Sequence, residues 1–344
     1  MSRLREEQTT RASVRGKTKR SMPLVAMVLM LAACVTAPPD RRAAVDDLTR
    51  QLALMPGVHG ARNTFSDDLA RGPAYFEIDV DVDESVTADQ LSALTARYLD
   101  DLGRVDYTGY RAELDVHRGD NLFLVDTTGR PVANRDQILG EAHSWIALGE
   151  RFGGGTVKLR ATTSHADGKP PVPSSGNIDL PDDADYTAVA AAVDTLGSSF
   201  ADLTDGEWTI NASKQHPAEI HASRRLPTPA EMELWTTLNA DQSIPHADVF
   251  TINGDYTGPL FVSERIPADD PETALRLAQQ HLPLVARLPA PVLYTASNQY
   301  RGHLGFYGQA TAPVVVTIGG CSARTYPPAP GEQALIDKYE TCRR

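Results

Sequence analysis

The chain has 344 residues, 41% of them hydrophobic, and a formal net charge of −12 at pH 7. A chain of this length can bury one large core or several small ones. Its acidity repels phosphate backbones and anionic headgroups, which argues against a nucleic-acid partner and against membrane attachment through a basic patch.

The first predicted element is an export signal. A basic segment (Arg11, Arg15, Lys17, Lys19, Arg20) precedes an apolar run from Met22 to Ala33. At about 1.5 Å per helical residue, that run is too short for a hydrocarbon layer roughly 30 Å thick. Basic start, short apolar core and small residues at the end are the order of a cleaved leader. The run ends in Leu31-Ala32-Ala33-Cys34, which resembles the lipobox of bacterial lipoproteins. The resemblance implies that residues 1–33 are a signal peptide and that Cys34 carries a diacylglyceryl thioether. It further implies palmitate-type acyl chains as a lipid anchor, on the extracytoplasmic face of the cell membrane. Several acyl chains hold firmly, because each buried CH2 adds about 0.8 kcal/mol. An ordinary secretion signal, with Cys34 incidental, is the alternative.

Residues 34–41 read as a tether. Beyond it the sequence repeats a helix–strand–strand pattern about every 45 residues. Helices are predicted to begin near Ala43, Thr87, Asn134, Asp185, Thr228 and Asp270. Val45, Leu48, Leu52 and Met55 form one apolar helical stripe; Val189, Val193, Leu196 and Phe200 form another; Leu275, Ala278, Leu282 and Val285 form a third. Thr87 with Gln90, Asn134 with Gln137, and Thr228 with Glu231 have capping-box spacing. Strands are predicted where apolar and polar residues alternate. Phe76, Ile78, Val80 and Val82 alternate with acids, as do Ala112, Leu114 and Val116; Trp208–Ala212 and Ala218–Ala222 follow the same rule.

One such unit buries too little core to stand alone. The expected fold class is therefore α+β: units pairing into two-layer sandwiches with antiparallel sheets. Three domains are expected, at 42–130, 131–226 and 227–320, followed by a tail at 321–344 with a short helix. Cys321 and Cys342 are the cysteines left after Cys34. In an exported chain they are expected to pair, closing a loop of about 22 residues worth roughly 3 kcal/mol. The first helix ends in Leu54-Met55-Pro56-Gly57-Val58 before two strands, which resembles BON-type helix–strand–strand modules of the bacterial envelope. That resemblance implies binding at the envelope without catalysis.

No G-x-S-x-G elbow, Walker loop, H-E-x-x-H helix or dinucleotide turn is present. No cofactor, metal set or catalytic group is therefore predicted. Gly153-Gly154-Gly155 reads as a helix-to-strand turn. His216 and His221 fall on opposite faces of a strand and read as surface histidines. Asp79, Asp81 and Asp83 read as a solvated strand face, without the turn glycine of an EF-hand loop. Trp145, Trp208 and Trp235 read as core. Tyr294, Tyr300, His303 and Tyr307 are the densest aromatic group, and any groove for sugar or peptide is sought there first, against the plainer reading of neighbouring strands. The expected function is a lipid-anchored envelope protein with a non-catalytic binding or scaffold role, its partner an envelope protein or glycan. An envelope hydrolase with a site assembled from distant segments is the alternative.

Overall fold

A computed structural model describes residues 38–67, 73–127, 132–164, 173–254, 258–299, 303–304 and 310–342. Six helix–strand–strand units follow one another: α1 (Arg42–Ala53), β1 (Val58–Ser66), β2 (Ala74–Val82); α2 (Ala88–Arg104), β3 (Tyr110–Arg118), β4 (Asn121–Thr127); α3 (Arg135–Arg151), β5 (Thr156–Thr162), β6 (Ser175–Asp179); α4 (Tyr186–Ser199), β7 (Glu207–Asn211), β8 (Glu219–Ser223); α5 (Pro229–Ala240), β9 (Ala247–Gly254), β10 (Gly258–Arg265); and α6 (Pro271–Val285) with β11 (Val292–Ser297). The sixth unit inserts a small pair, β12 (His303–Leu304) and β13 (Ala310–Ala312), before its second strand β14 (Val314–Ile318), and α7 (Pro330–Tyr339) closes the chain.

The helix starts follow local chemistry. Thr87 and Thr228 form complete capping boxes with Gln90 and Glu231. Asp185 and Asp270 accept from the first-turn amides of α4 and α6. Asn134 departs from the expected box. Its side chain donates to the Thr162 carbonyl at 2.9 Å and accepts from the Ser164 amide at 2.8 Å, so it ties α3 to the end of β5. In the helix-to-strand turn, Gly154 has φ +83°, and a Cβ on Gly155 would lie 2.3 Å from the Asp179 carbonyl oxygen.

The strands form a single twelve-stranded sheet in the order β1 through β11, then β14. Here the expectation of separate antiparallel sheets is corrected. Strands within a unit are antiparallel, but β2–β3, β4–β5, β6–β7, β8–β9 and β10–β11 are parallel. A helix between two units returns the chain to the end it left, so the next strand lies beside the last in the same direction. The sheet is continuous through β4–β5 and β8–β9, the pairs on either side of positions 131 and 227.

The helices share one face, where α2 packs beside α3 and α4 beside α5. One continuous core lies beneath them, running from Val45 and Leu48 to Leu282 and Val316 and including Trp145, Trp208 and Trp235. The other face differs along its length. From β1 to β7 it carries exposed and half-buried polar residues. In β9 to β11 and β14 both faces are largely buried, and Phe261, Leu293 and Val315 make a second small cluster under Tyr326 of the tail. That tail is fixed by the Cys321–Cys342 disulfide, Cα–Cα 4.9 Å. It also answers the edge of β14. Glu332 accepts from the Val315 amide, Glu340 from the Thr317 amide, and Arg324 donates to the Val315 carbonyl.

Candidate functional site

Strand parity brings charge into the core of the fifth and sixth units. In β9, Phe250 and Ile252 face the helices, and so does Asp248; in β10, Leu260 and Val262 do, and so does Glu264. Asp248 and Glu264 are register partners. Above them α6 presents an apolar stripe of Ala274, Leu277, Ala278, Leu282 and Val285, and His281 lies within it. His246 enters from the turn before β9. Asp248, Glu264, His281 and Tyr294 are all 0% exposed, as is the side chain of His246.

These groups meet in a polar cluster. His281 Nδ1 lies 2.5 Å from Glu264 Oε1, and the Tyr294 hydroxyl donates to Glu264 Oε2. His281 Nε2 points at Asp241 Oδ2, 3.5 Å away. His246 Nδ1 donates to the Ile244 carbonyl at 2.6 Å, while its Nε2 stands 3.5 Å from Asp248 Oδ2. The two imidazoles are 5.2 Å apart between centroids. His246 Nε2 and both Asp248 oxygens are buried without a hydrogen-bond partner. One donor atom each from His246, Glu264 and His281 lies within 4.8 Å of the others.

Burial disfavours charge here, and the neighbours oppose it. For His246, burial pulls the imidazole down, but the Asp248 carboxylate, aided by Glu264 and the Ile244 carbonyl, lifts it to about 9. Burial pushes the Glu264 carboxyl up. The hydrogen bond and charge of Glu264 outweigh burial at His281 and raise that imidazole too. The Glu264–His281 contact therefore holds one proton as a pair. Burial and then Glu264 keep the Tyr294 phenol protonated as a donor. Asp241 is held below the usual carboxylate range by hydrogen bonds from Ser243, then Gln280 and His281.

The cluster adjoins a cleft across the ends of β6 to β10. One cavity, about 400 Å3, is lined by Tyr186, His216, Gln242, His246 and Arg265. The adjoining cavity, about 580 Å3, is lined by Asp179, Lys214, Glu219, Asp248 and Arg265. Each thus touches one residue of the buried set.

The wet face of β1 to β5 is a second charged region. Glu77 and Asp79 sit opposite Glu113 and Asp115 across the β2–β3 pair. Arg62 reaches Asp79 at 3.3 Å and Asp81 at 2.9 Å, Arg111 reaches Asp126 at 3.3 Å, and Arg160 also pairs with Asp126. Burial, with Glu113, Glu77 and Asp79, pushes the Asp115 carboxyl up to about 7 against the pull of Arg160. Burial followed by Asp79 and Glu113 raises Glu77. Tyr75 is exposed, and Leu122 and Leu124 are half-buried among these charges.

The residues singled out in the sequence are dispersed. Tyr294 is wholly buried, bonded to Glu264, and does not line a surface groove. His303 begins β12; Tyr300 and Tyr307 lie outside the described residues, as does Cys34. His216 lines the cleft, whereas His221 bonds Thr209 at 2.9 Å on the opposite sheet face, so the two histidines do not converge. Sequence motifs missed the buried cluster because its members come from a turn, three strands and a helix. A signal was nonetheless present: Asp248, Glu264 and His281 each occupy an apolar phase of their element, where a charged or titratable group requires partners.

Searches of family models, curated proteins and solved structures found no match to this chain.

Proposed function

We propose that the chain is a lipoprotein of the bacterial cell envelope, anchored through Cys34 to the extracytoplasmic side of the cell membrane. It binds a partner there, an envelope protein or glycan, and does no chemistry on it. The observation that carries this reading is the uneven cover of the sheet. The side away from the helices is buried from β9 onward and open from β1 to β7. The open part combines an aromatic (Tyr75), two leucines (Leu122, Leu124) and mutually paired arginines and carboxylates. Apolar anchors among ordered charges are the composition of a recognition surface, and a firm sheet presents them at little entropic cost. The lipobox supplies the address.

A photo-crosslinking residue at Leu124 of the anchored protein in intact cells should trap a distinct partner, and the same residue at Glu233, exposed on α5, should not. Equal trapping at both positions, or none at Leu124, removes the binding reading. Cys34→Ala should leave the protein in the soluble fraction, and continued sedimentation with membranes removes the anchor. One observation favours the hydrolase alternative: the cleft abuts a carboxylate–histidine cluster. Under that reading His281→Asn abolishes turnover of an ester, peptide or glycan substrate, while substitutions at Leu124 leave it intact.

A further inference from the structure

We propose that His246, Asp248, Glu264 and His281 form a binding site for one divalent transition-metal ion, with zinc the best match to the donors. The proposal is independent of the partner-binding reading above.

The donor set comes first. Two imidazole nitrogens and two carboxylates are the mixed N/O ligands that zinc takes in four-coordinate sites. With zinc bonds of about 2.0–2.1 Å, tetrahedral donors stand about 3.4 Å apart. The donors of His246, Glu264 and His281 lie within 4.8 Å of one another, and His246 Nε2 is 3.5 Å from Asp248 Oδ2. Side-chain adjustments of about 1 Å bring His246, Glu264 and His281 to that spacing, and Asp248 joins beside His246.

The orphaned atoms come second. Asp248 is 0% exposed, and neither of its oxygens has a hydrogen-bond donor; His246 Nε2 has no hydrogen-bond partner either. Buried polar atoms in folded proteins are nearly always answered. His246 Nε2 and Asp248 Oδ2 stand 3.5 Å apart, the separation of two ligands on one ion, and a cation between them answers both. The charge also closes on binding: once the ion displaces the imidazole protons, two carboxylates and two neutral imidazoles leave −2, which the divalent ion cancels in a region the core has stripped of water.

Third, three of the four ligands, His246, His281 and Glu264, already have the outer support that metal ligands require. His246 gives its Nδ1 proton to the Ile244 carbonyl, which leaves Nε2 for the ion. His281 turns Nε2 toward Asp241, which leaves Nδ1 on the Glu264 side. Asp241 in turn accepts from the Ser243 amide at 3.1 Å. Tyr294 fixes one oxygen of Glu264 and leaves the other for the ion. The site lies next to the cleft, since His246 lines one of its cavities and Asp248 the next. Among the described residues, the other His–carboxylate group with such spacing, Asp79, Asp115 and His117, lies on the wet face, where Arg62 already answers Asp79.

The test uses the full-length chain in detergent, stripped with chelator and titrated with zinc alone, then with cobalt(II) alone. One equivalent of zinc is expected, bound at least 100-fold more tightly than magnesium or calcium, and cobalt should give the strong visible absorption of a four-coordinate ion. His246→Gln and Asp248→Asn, with folding checked by circular dichroism, should each weaken zinc binding at least 100-fold. Asp241→Asn should weaken it about 10- to 100-fold, as loss of an outer partner does. Absence of stoichiometric zinc binding by the folded natural chain overturns the proposal, as does unchanged affinity in His246→Gln. Should a variant fail to fold, the natural chain's cobalt spectrum decides: four-coordinate absorption supports the site, and its absence overturns it.

Discussion

The acids of β2 and β3 and the acids of β9 and β10 are built by the same repeat, yet they meet opposite fates. Glu77, Asp79, Glu113 and Asp115 occupy the strand phase that faces away from the helices. Arg62 reaches Asp79 there and Arg111 reaches Glu113, while Glu77 and Asp115 sit half-buried beside them. Asp248 and Glu264 occupy the phase of Phe250 and Val262, under α6. A shift of one residue in strand phase moves a carboxylate from solvent to core. The lesson is that the number of acids in a strand says little about a site; their phase says much. A charge at a helix-facing position survives only with partners, and in this molecule the partners are His246, His281 and Tyr294.

Truncating one acid in each region tests this difference directly. Glu264→Ala removes the group that holds His281 and Tyr294 and should cost about 3–5 kcal/mol, as loss of one member of a buried pair does. Glu77→Ala should fall within about 0.5 kcal/mol of the natural chain. Urea unfolding of both variants checks this, and equal costs would erase the distinction. A second pair examines apolar cover of the same sheet face. Phe261→Ala, under Tyr326, should cost about 3–5 kcal/mol. Leu124→Ala, on the uncovered part, should cost about 1 kcal/mol or less, because little of its burial is lost.

The tail offers an intermediate effect. It covers the second face only in the last third and bonds the edge of β14. Replacing both Cys321 and Cys342 by Ser releases a loop with sequence separation 21 and should cost about 3 kcal/mol in thermal unfolding. Reductant should have the same effect on the natural chain and none on the variant.

The last effect is a pH dependence. Asp115 ionises near 7 in the fold against an ordinary value of 3.8. Between those values the unfolded chain has already lost the proton that the fold retains. The contribution of Asp115 is therefore fully present below about pH 4, falls as pH rises, and is gone above about 7. Asp115→Asn should flatten the decline across that interval and leave the variant the more stable of the two at pH 8. A parallel decline in both proteins would show that Asp115 is not its source.

Local order was readable in the chain because local chemistry creates it. Thr87, Asp185, Thr228 and Asp270 announce helix starts through hydroxyl and carboxylate caps. Alternation in β2 and β3 announces one dry and one wet face. Asn134 looked like a cap and instead bonds β5, because a long-range partner competes for the same amide group. Strand direction between units is not legible in the chain, since alternation reports only that one face of a strand is covered, and β2 and β3 alternate although they run parallel. Likewise, the pairing of Asp248 with Glu264, and of both with His246 and His281, has no local trace beyond three titratable groups in apolar phase.

By itself, then, the sequence determined the repeat, the helix caps, the alternation of faces and the two cysteines able to pair, all of which arise within a few residues of each other. Only the tertiary structure decided that six units share one mixed sheet, that its far side is covered at one end alone, and that His281 meets Glu264 and His246 meets Asp248 beneath the helix layer. Those outcomes depend on which strand edge each helix delivers to its neighbour, a choice fixed by packing across the whole sheet.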